Sequence, residues 1–333
     1  MKTKIGLVLA GGGALGAYQA GVAKYLAEIS FQPHIIAGTS IGALNGAVLA
    51  SNKDFKQSSN LLWHLWDEVG NANVIRLNST SLVLLVSYLT QITIPTFRNW
   101  YLGILKHLNY EYKNSVFDPK PVEQFLRKAV KFDDLKNGID LWVAVFPSMK
   151  LPFLRYYLAQ LAIDVLRAKA GQEAHWLRVQ DAKDEEQAYS ILLASAAIPL
   201  AFPEREINGI SYVDGAIADN VPLGALAKEG CTHAIIVHLG NGEIWNRNDF
   251  PNQAIIEIRA KESFNKSGIP LFGDAHCRLD FSLENIRKLR ECGYRDAEEM
   301  LTPILHAYSV ENNYKSSLTE LSSSTRLLLE DQL

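Results

Sequence analysis

The chain has 333 residues, 48% of them hydrophobic and 21% charged, with a formal net charge of −3. A chain of that length buries a substantial core, and its near-neutral balance gives no electrostatic case for nucleic acid. Its three cysteines, Cys231, Cys277 and Cys292, are widely spaced; they form neither a metal-ligand pattern nor a disulfide framework and suit a reducing, cytoplasmic setting.

Lys2 and Lys4 followed by Ile5 to Ala10 imitate a secretory leader. The apolar run is short, breaks at three glycines and is followed by no convincing cleavage site, so it reads as a buried first strand. Gly11, Gly12, Gly13 and Gly16 then lead into a helix over Ala14 to Ile29, where Leu15, Tyr18, Val22, Leu26 and Ile29 recur at spacings of three and four. Pro33 to Ala37 reads as strand two, and Gly38-Thr39-Ser40-Ile41-Gly42 as a sharp turn into a small-residue helix, Ile41 to Ser51. Strand and helix alternating in this way predict a parallel sheet with helices on both faces.

Leu61 to Val69 is a further amphipathic helix. Ser81 to Leu108 is rich in apolar and aromatic residues but interrupted by Pro95 and Arg98, and its apolar runs are too short to span a bilayer. It reads as a helical hairpin in the core of an insertion, or as a cap or membrane-touching surface. A helix over Pro121 to Val130 and a strand over Ile139 to Phe146 follow. Leu151 to Ala170 reads as a second helical insertion. Asp181, Asp184, Glu185 and Glu186 precede a helix over Ala188 to Ala196, where acidic groups complement the positive helix end. Ile207 to Val213, with Asn208-Gly209 at its centre, reads as a tight hairpin that delivers Asp214-Gly215-Ala216. Pro222 to Lys228 is helical and Thr232 to Leu239 a strongly apolar strand. Ile255 to Phe264 and Leu283 to Ala307 read as helices, with a Ser-rich tail around Ser322 to Ser324.

Two glycine-framed turns carry the chemistry. Backbone N–H groups of the first face outward at the start of a helix, where an anion can sit. The second holds Ser40 in a G-x-S-x-G frame between strand and helix, as a nucleophile on a sharp turn requires. Gly11-x-Gly13-x-x-Gly16 also matches the dinucleotide-binding fingerprint. That fold expects an acid at the end of strand two, where this chain has Ala37-Gly38-Thr39-Ser40; Glu28 lies on the preceding helix. None of eight histidines is set as a third triad member: His34 lies at the far end of strand two from Ser40, while His233 and His238 flank an apolar strand. Asp214, before Gly215, is placed to present a carboxylate outward. A Ser40–Asp214 pair is the simplest complete machine; the alternative for Asp214 is a turn residue bonding its own backbone.

These three ordered motifs resemble the patatin-like phospholipases. So do Ala194-Ser195-Ala196-Ala197-Ile198-Pro199, Phe202-Pro203, Tyr212-Val213, Asn220 and Pro222, and the resemblance spans Lys4 to Gly240. It implies a three-layer α/β/α sandwich with a mainly parallel central sheet over residues 1–245; the helical insertions about 80–108 and 151–171 have no counterpart in it, and the helical C-terminal region, 246–333, read from its own pattern, is expected to pack on the same domain. It also implies a lipid acyl hydrolase in which Ser40 attacks the ester, Asp214 is the base and Gly11, Gly12 and Gly13 hold the oxyanion. Gly38, Gly42 and Gly215 would support the turns, with no metal or other cofactor. Phospholipid, lysophospholipid or another acyl ester is the implied substrate, with peripheral membrane contact. Many members carry Lys or Arg where this chain has Leu15, which leaves the choice among phospholipid, lysolipid and neutral ester open. A non-catalytic lipid-binding scaffold on the same fold is the runner-up, and a dinucleotide-binding protein stands behind it.

Overall fold

The apolar run after Lys4 forms β1 (Ile5–Leu9) in the interior of an eight-stranded sheet. The computed structural model describes residues 3–72, 120–149, 157–198, 202–240, 245–261 and 277–330. The remaining strands are β2 (Ile35–Thr39), β3 (Asp140–Pro147), β4 (His175–Arg178), β5 (Arg205–Ile207), β6 (Ile210–Asp214), β7 (His233–Val237) and β8 (Ala254–Ile258). Their order is β5-β6-β3-β2-β1-β7-β8, with β4 also on β3. The β3-β2-β1-β7-β8 run is parallel throughout, whereas β4 and β6 meet β3 antiparallel, as β5 meets β6.

Side chains alternate across the sheet, so each face has its own core. Leu7, Leu9, Ile36, Leu141, Val143, Ile235 and Val237 point to one side. Packed there are α1 (Gly16–Glu28), α2 (Ile41–Ala50), α3 (Phe55–Ala72), α4 (Lys120–Ala129), α5 (Phe132–Asn137) and α7 (Glu185–Ser195), together with the start of α9 (Leu283–Glu330). Val8, Ala10, Ile35, Ala37 and Ile236 point to the other side, under α8 (Leu223–Lys228), Trp142, Trp245 and Phe250. The remaining helix, α6 (Tyr157–Lys169), is tied to the end of β3 by Arg167, which donates to Pro147 O at 2.9 Å and lies over the Phe146 ring. The architecture is thus a mostly parallel sheet between helical layers, with the second layer the thinner.

Local chemistry accounts for the turns. Asn208 and Gly209, at φ 51° and 80°, form the two-residue turn between β5 and β6, a conformation those residue types favour. Asp184 caps α7 by accepting the Gln187 N–H at 2.8 Å, and Glu185 and Glu186 follow in its first turn.

The C-terminal region departs from expectation in two ways. It is not wholly helical: residues read as a helix from Ile255 instead form β8, which extends the parallel sheet beside β7. Three isoleucines in five residues favour extended backbone, and a neighbouring parallel edge rewards it. The helix begun at Leu283 continues past Ala307 and through the serines to Glu330. Its first half is bound closely to α1. A Cβ on Gly21 would lie 1.9 Å from Arg290 O, and one on Gly293 would lie 2.0 Å from Tyr18 O, so the two backbones cross in contact. Tyr18 donates to Asp296, Tyr25 pairs with Thr302, and Tyr294 donates to Glu28. The aromatic segment Ser81 to Leu108 lies outside the described residues. Among those described, no helix is long and apolar enough to cross a membrane.

Candidate active site

Sheet register brings the two functional turns to one level. Thr39 at the end of β2 pairs with Ala144 of β3, and the next β3 residue, Val145, pairs with Asp214 of β6. Ser40, one residue beyond Thr39, therefore stands across Val145 from Asp214. It has φ 55° and ψ −126° and directly precedes α2. A non-glycine residue held at positive φ stores backbone strain that its surroundings must hold in place. Those surroundings are tight. A Cβ on Gly38 would sit 2.3 Å from Gly42 O, and one on Gly42 would sit 2.1 Å from Leu9 O. The glycine frame is needed because backbone meets backbone on both sides of the serine. Ser40 N–H donates to Ser195 Oγ at 2.9 Å, and Ser195 Oγ donates to Ala144 O at 2.7 Å.

Ser40 Oγ donates to Asp214 Oδ2 at 2.6 Å. The other carboxylate oxygen, Oδ1, accepts the Ala216 N–H at 2.9 Å. Asp214 thus serves the turn with one oxygen and faces the serine with the other. Gly215 is required because a Cβ there would meet Ala144 O at 2.4 Å. Ser40 and Asp214 are buried, and burial pushes the Asp214 carboxyl up to about 7 against the pull of its two hydrogen bonds.

The first glycine turn lies beside this pair. Gly11, expected as an oxyanion donor, has its N–H committed to Asn220 Oδ1 at 3.0 Å. Gly13 has φ 60°, and a Cβ there would strike Arg278 O at 2.3 Å. Among the described residues, neither the Gly12 nor the Gly13 N–H meets an acceptor. A buried polar chain braces the turn: Gln19 Nε2 donates to Ala10 O at 2.7 Å, Asn45 Nδ2 donates to Gly16 O and to Gln19 Oε1, both at 2.9 Å, and Trp66 Nε1 donates to Asn45 Oδ1 at 3.1 Å. Sequence reading passed over Gln19 and Asn45; their signal is a polar residue inside an otherwise apolar helix. Leu15 is buried in the core, a position hostile to a cation.

A cavity of about 160 Å³ opens beside Ser40. Its walls come from α2 (Leu44, Val48), α3 (Leu62, Leu65, Trp66), α4 (Val122, Phe125, Leu126), the segment after α7 (Ile198, Phe202) and the segment before α9 (Arg278, Leu279, Phe281). Among the described residues, no histidine bonds to Ser40 or Asp214. His34 Nδ1 accepts the Ile5 N–H at the far end of β1, and His238 sits on the other face against Trp245 and Glu257.

A strained serine hydrogen-bonded to a buried aspartate, on an α/β sheet and beside an apolar cavity, is an arrangement suited to acyl chemistry. The sequence profile of the Patatin-like phospholipase family matches residues 7–227, and the chain belongs to that family. Over 50 residues it is 56% identical to the lysophospholipase nte1 of Aspergillus terreus, a stretch covering 15% of this chain and 3% of that protein. Over 53 residues it is 49% identical to the patatin-like phospholipase domain-containing protein 7 of Rattus norvegicus, covering 16% and 4%. The match therefore takes in only a small part of those much longer relatives. Among solved structures, VipD from Legionella pneumophila superposes with a TM-score of 0.42 at 16% identity, over 91% of this chain and 67% of that one. ExoU of Pseudomonas aeruginosa, in complex with SpcU, gives 0.30 at 16% identity, over 90% and 53%.

Proposed function

We propose that this protein hydrolyses carboxylic esters of phospholipids or lysophospholipids through an acyl-Ser40 intermediate. The observation that carries this reading is the 2.6 Å bond from Ser40 Oγ to Asp214 Oδ2 beside an apolar cavity. With Asp214 ionised, Ser40 Oγ attacks the ester carbonyl while its proton passes to Oδ2. A base titrating near 7 is matched to neutral conditions. The N–H groups of Gly12 and Gly13 receive the oxyanion, each such donor contributing roughly 3 kcal/mol in the transition state. Gly11, bonded to Asn220, holds the loop in place. Collapse breaks the bond to the alcohol, which leaves with the proton from Asp214. Asp214 then takes a proton from water as that water attacks the acyl-Ser40 ester. Fatty acid departs, and the proton returns to Ser40 Oγ.

The apolar cavity suits the acyl chain, and the names of the relatives point to lysophospholipid as the first substrate to try. We place the protein in the cytoplasm, in peripheral contact with the membrane that holds its substrate.

Fluorophosphonate labelling with peptide mapping tests this reading. The expected result is labelling at Ser40 in the wild type, abolished in Ser40→Ala and much reduced in Asp214→Asn, with parallel losses of fatty-acid release. A folded wild type that binds single-chain lipid but neither labels nor releases fatty acid would replace this reading with the lipid-binding scaffold.

A further inference from the structure

The first glycine turn is held at both ends by side chains that the proposed reaction does not use. Before the turn, Gln19 Nε2 donates to Ala10 O at 2.7 Å; after it, Asn45 Nδ2 donates to Gly16 O at 2.9 Å. Asn45 Nδ2 also donates to Gln19 Oε1, and Asn45 Oδ1 accepts the Trp66 indole N–H at 3.1 Å. All three side chains are buried, where each such bond is stronger and a missing one costs more. The relay runs in one direction only. Ala10 O and Gly16 O can only accept and an indole can only donate, so both amides have a single orientation and Trp66 supplies the donor that completes Asn45.

What the relay holds bears on the oxyanion donors. Gly12 O accepts the Leu15 N–H at 3.3 Å, and Gly13 O accepts the Gly16 N–H. In a trans peptide C=O and N–H point opposite ways, so drawing Gly12 O toward the start of α1 turns the Gly13 N–H away from it. The direction of that donor therefore depends on where Leu15 and Gly16 stand. A Cβ on Gly16 would lie 2.9 Å from Trp66 Cζ2, so the indole also packs directly on this residue.

We propose that Trp66 is a positioning residue for the reaction: through Asn45 and Gln19, its indole N–H keeps the Gly12 and Gly13 donors aimed at the oxyanion. The proposal rests on the acyl-hydrolase reading above. Trp66 also lines the cavity, and Trp66→Phe separates its two tasks by keeping an aromatic wall and removing the donor. Asn45 Oδ1 then becomes a buried acceptor without a partner, and turning toward another donor costs the bonds to Gly16 and Gln19. The ends of the turn loosen and the donors lose their alignment. Because the oxyanion forms only in the transition state, the loss falls on kcat and not on KM.

The test measures kcat, KM and the pH profile on p-nitrophenyl butyrate, a soluble short ester, in the wild type, Trp66→Phe, Gln19→Met and the double variant. Trp66→Phe lowers kcat about tenfold with KM and the pH midpoint unchanged. The double variant is little slower than the slower single one, because both changes break one relay. Thermal melts establish that each variant is folded at the assay temperature. If Trp66→Phe is not, benzothienylalanine at position 66, which has the ring shape of tryptophan and no N–H, gives the same reading. An unchanged kcat in a folded variant, a loss carried by KM, or losses that multiply in the double variant would overturn the proposal. A wild type that does not cleave the ester sinks the hydrolase reading, while hydrogen exchange over residues 10–16 still judges Trp66. Faster exchange there in Trp66→Phe supports its hold on the turn, and unchanged exchange removes it.

Discussion

Asp214 divides its two oxygens between Ala216 N–H and Ser40 Oγ, and burial holds its proton up to about 7. On the proposed mechanism kcat/KM falls as pH drops through about 7, because the protonated acid cannot accept from Ser40; a pH profile on a soluble short-chain ester measures this. The stability effect has the opposite sense. A carboxyl whose folded pKa lies above its unfolded value of 3.8 stabilises the fold fully at low pH, and that contribution is lost as pH rises from about 4 through about 7. Asp214→Asn keeps the shape and the Ala216 bond without a buried charge. It should unfold at a higher temperature than the wild type at pH 8, with the gap closing toward pH 4, while turnover is lost. Asn220→Ala removes the side chain that bonds Gly11 and, on the proposed mechanism, should lower kcat by about tenfold or more with little change in KM, by loosening the neighbouring Gly12 and Gly13 donors. Ser40 and Asp214 were legible because each sits in a short glycine-marked turn whose geometry is a local property. Ser195 was legible only through its motif and not by its task. Its Oγ, 155 residues from Ser40 and 51 from Ala144, joins the two, and no local pattern encodes such a contact.

At the scale of elements, the crossing of α1 and α9 depends on Gly21 and Gly293. A methyl at either place would drive into a backbone carbonyl of the opposite helix. Gly293→Ala should therefore lower stability by about 3 kcal/mol or more, read from urea midpoints, because two rigid backbones must separate to admit it. Helix α1 was legible from its apolar spacing, and the β5–β6 hairpin from Asn208-Gly209. Strand β8 was misread because a short isoleucine-rich run fits either a buried strand or a buried helix segment, and only the edge of β7 decides between them. Strand β4 was missed for a related reason. His175-Trp176-Leu177-Arg178 is only four residues long, and it owes its extension to pairing with Trp142 to Val145.

At the scale of the whole molecule, the C-terminal helix is clamped to α3 as well as to α1. Arg290, almost wholly buried, binds both oxygens of Asp67, at 2.7 and 3.0 Å, donates to Trp63 O and lies 4.3 Å over the Trp63 ring. Asp67→Ala would strand that guanidinium and should cost about 3 kcal/mol. Asp67→Ala combined with Arg290→Met should recover part of the loss, which thermal melts of the set would show. The mostly parallel sheet was legible from strand–helix alternation, whereas the cavity was not, since Leu44, Leu62, Leu126, Phe202 and Phe281 meet only in the folded chain. That assembly has a consequence in time. Synthesis runs from the amino end, so the serine turn leaves the ribosome before Arg278, which backs Gly13, and Arg290, which ties α9 to α3, both more than two hundred residues further on. Until they arrive the pocket lacks a wall and the glycine turn its backing. On the proposed activity, a chain terminated before residue 278 should release fatty acid more slowly than the full chain, which a side-by-side turnover assay measures.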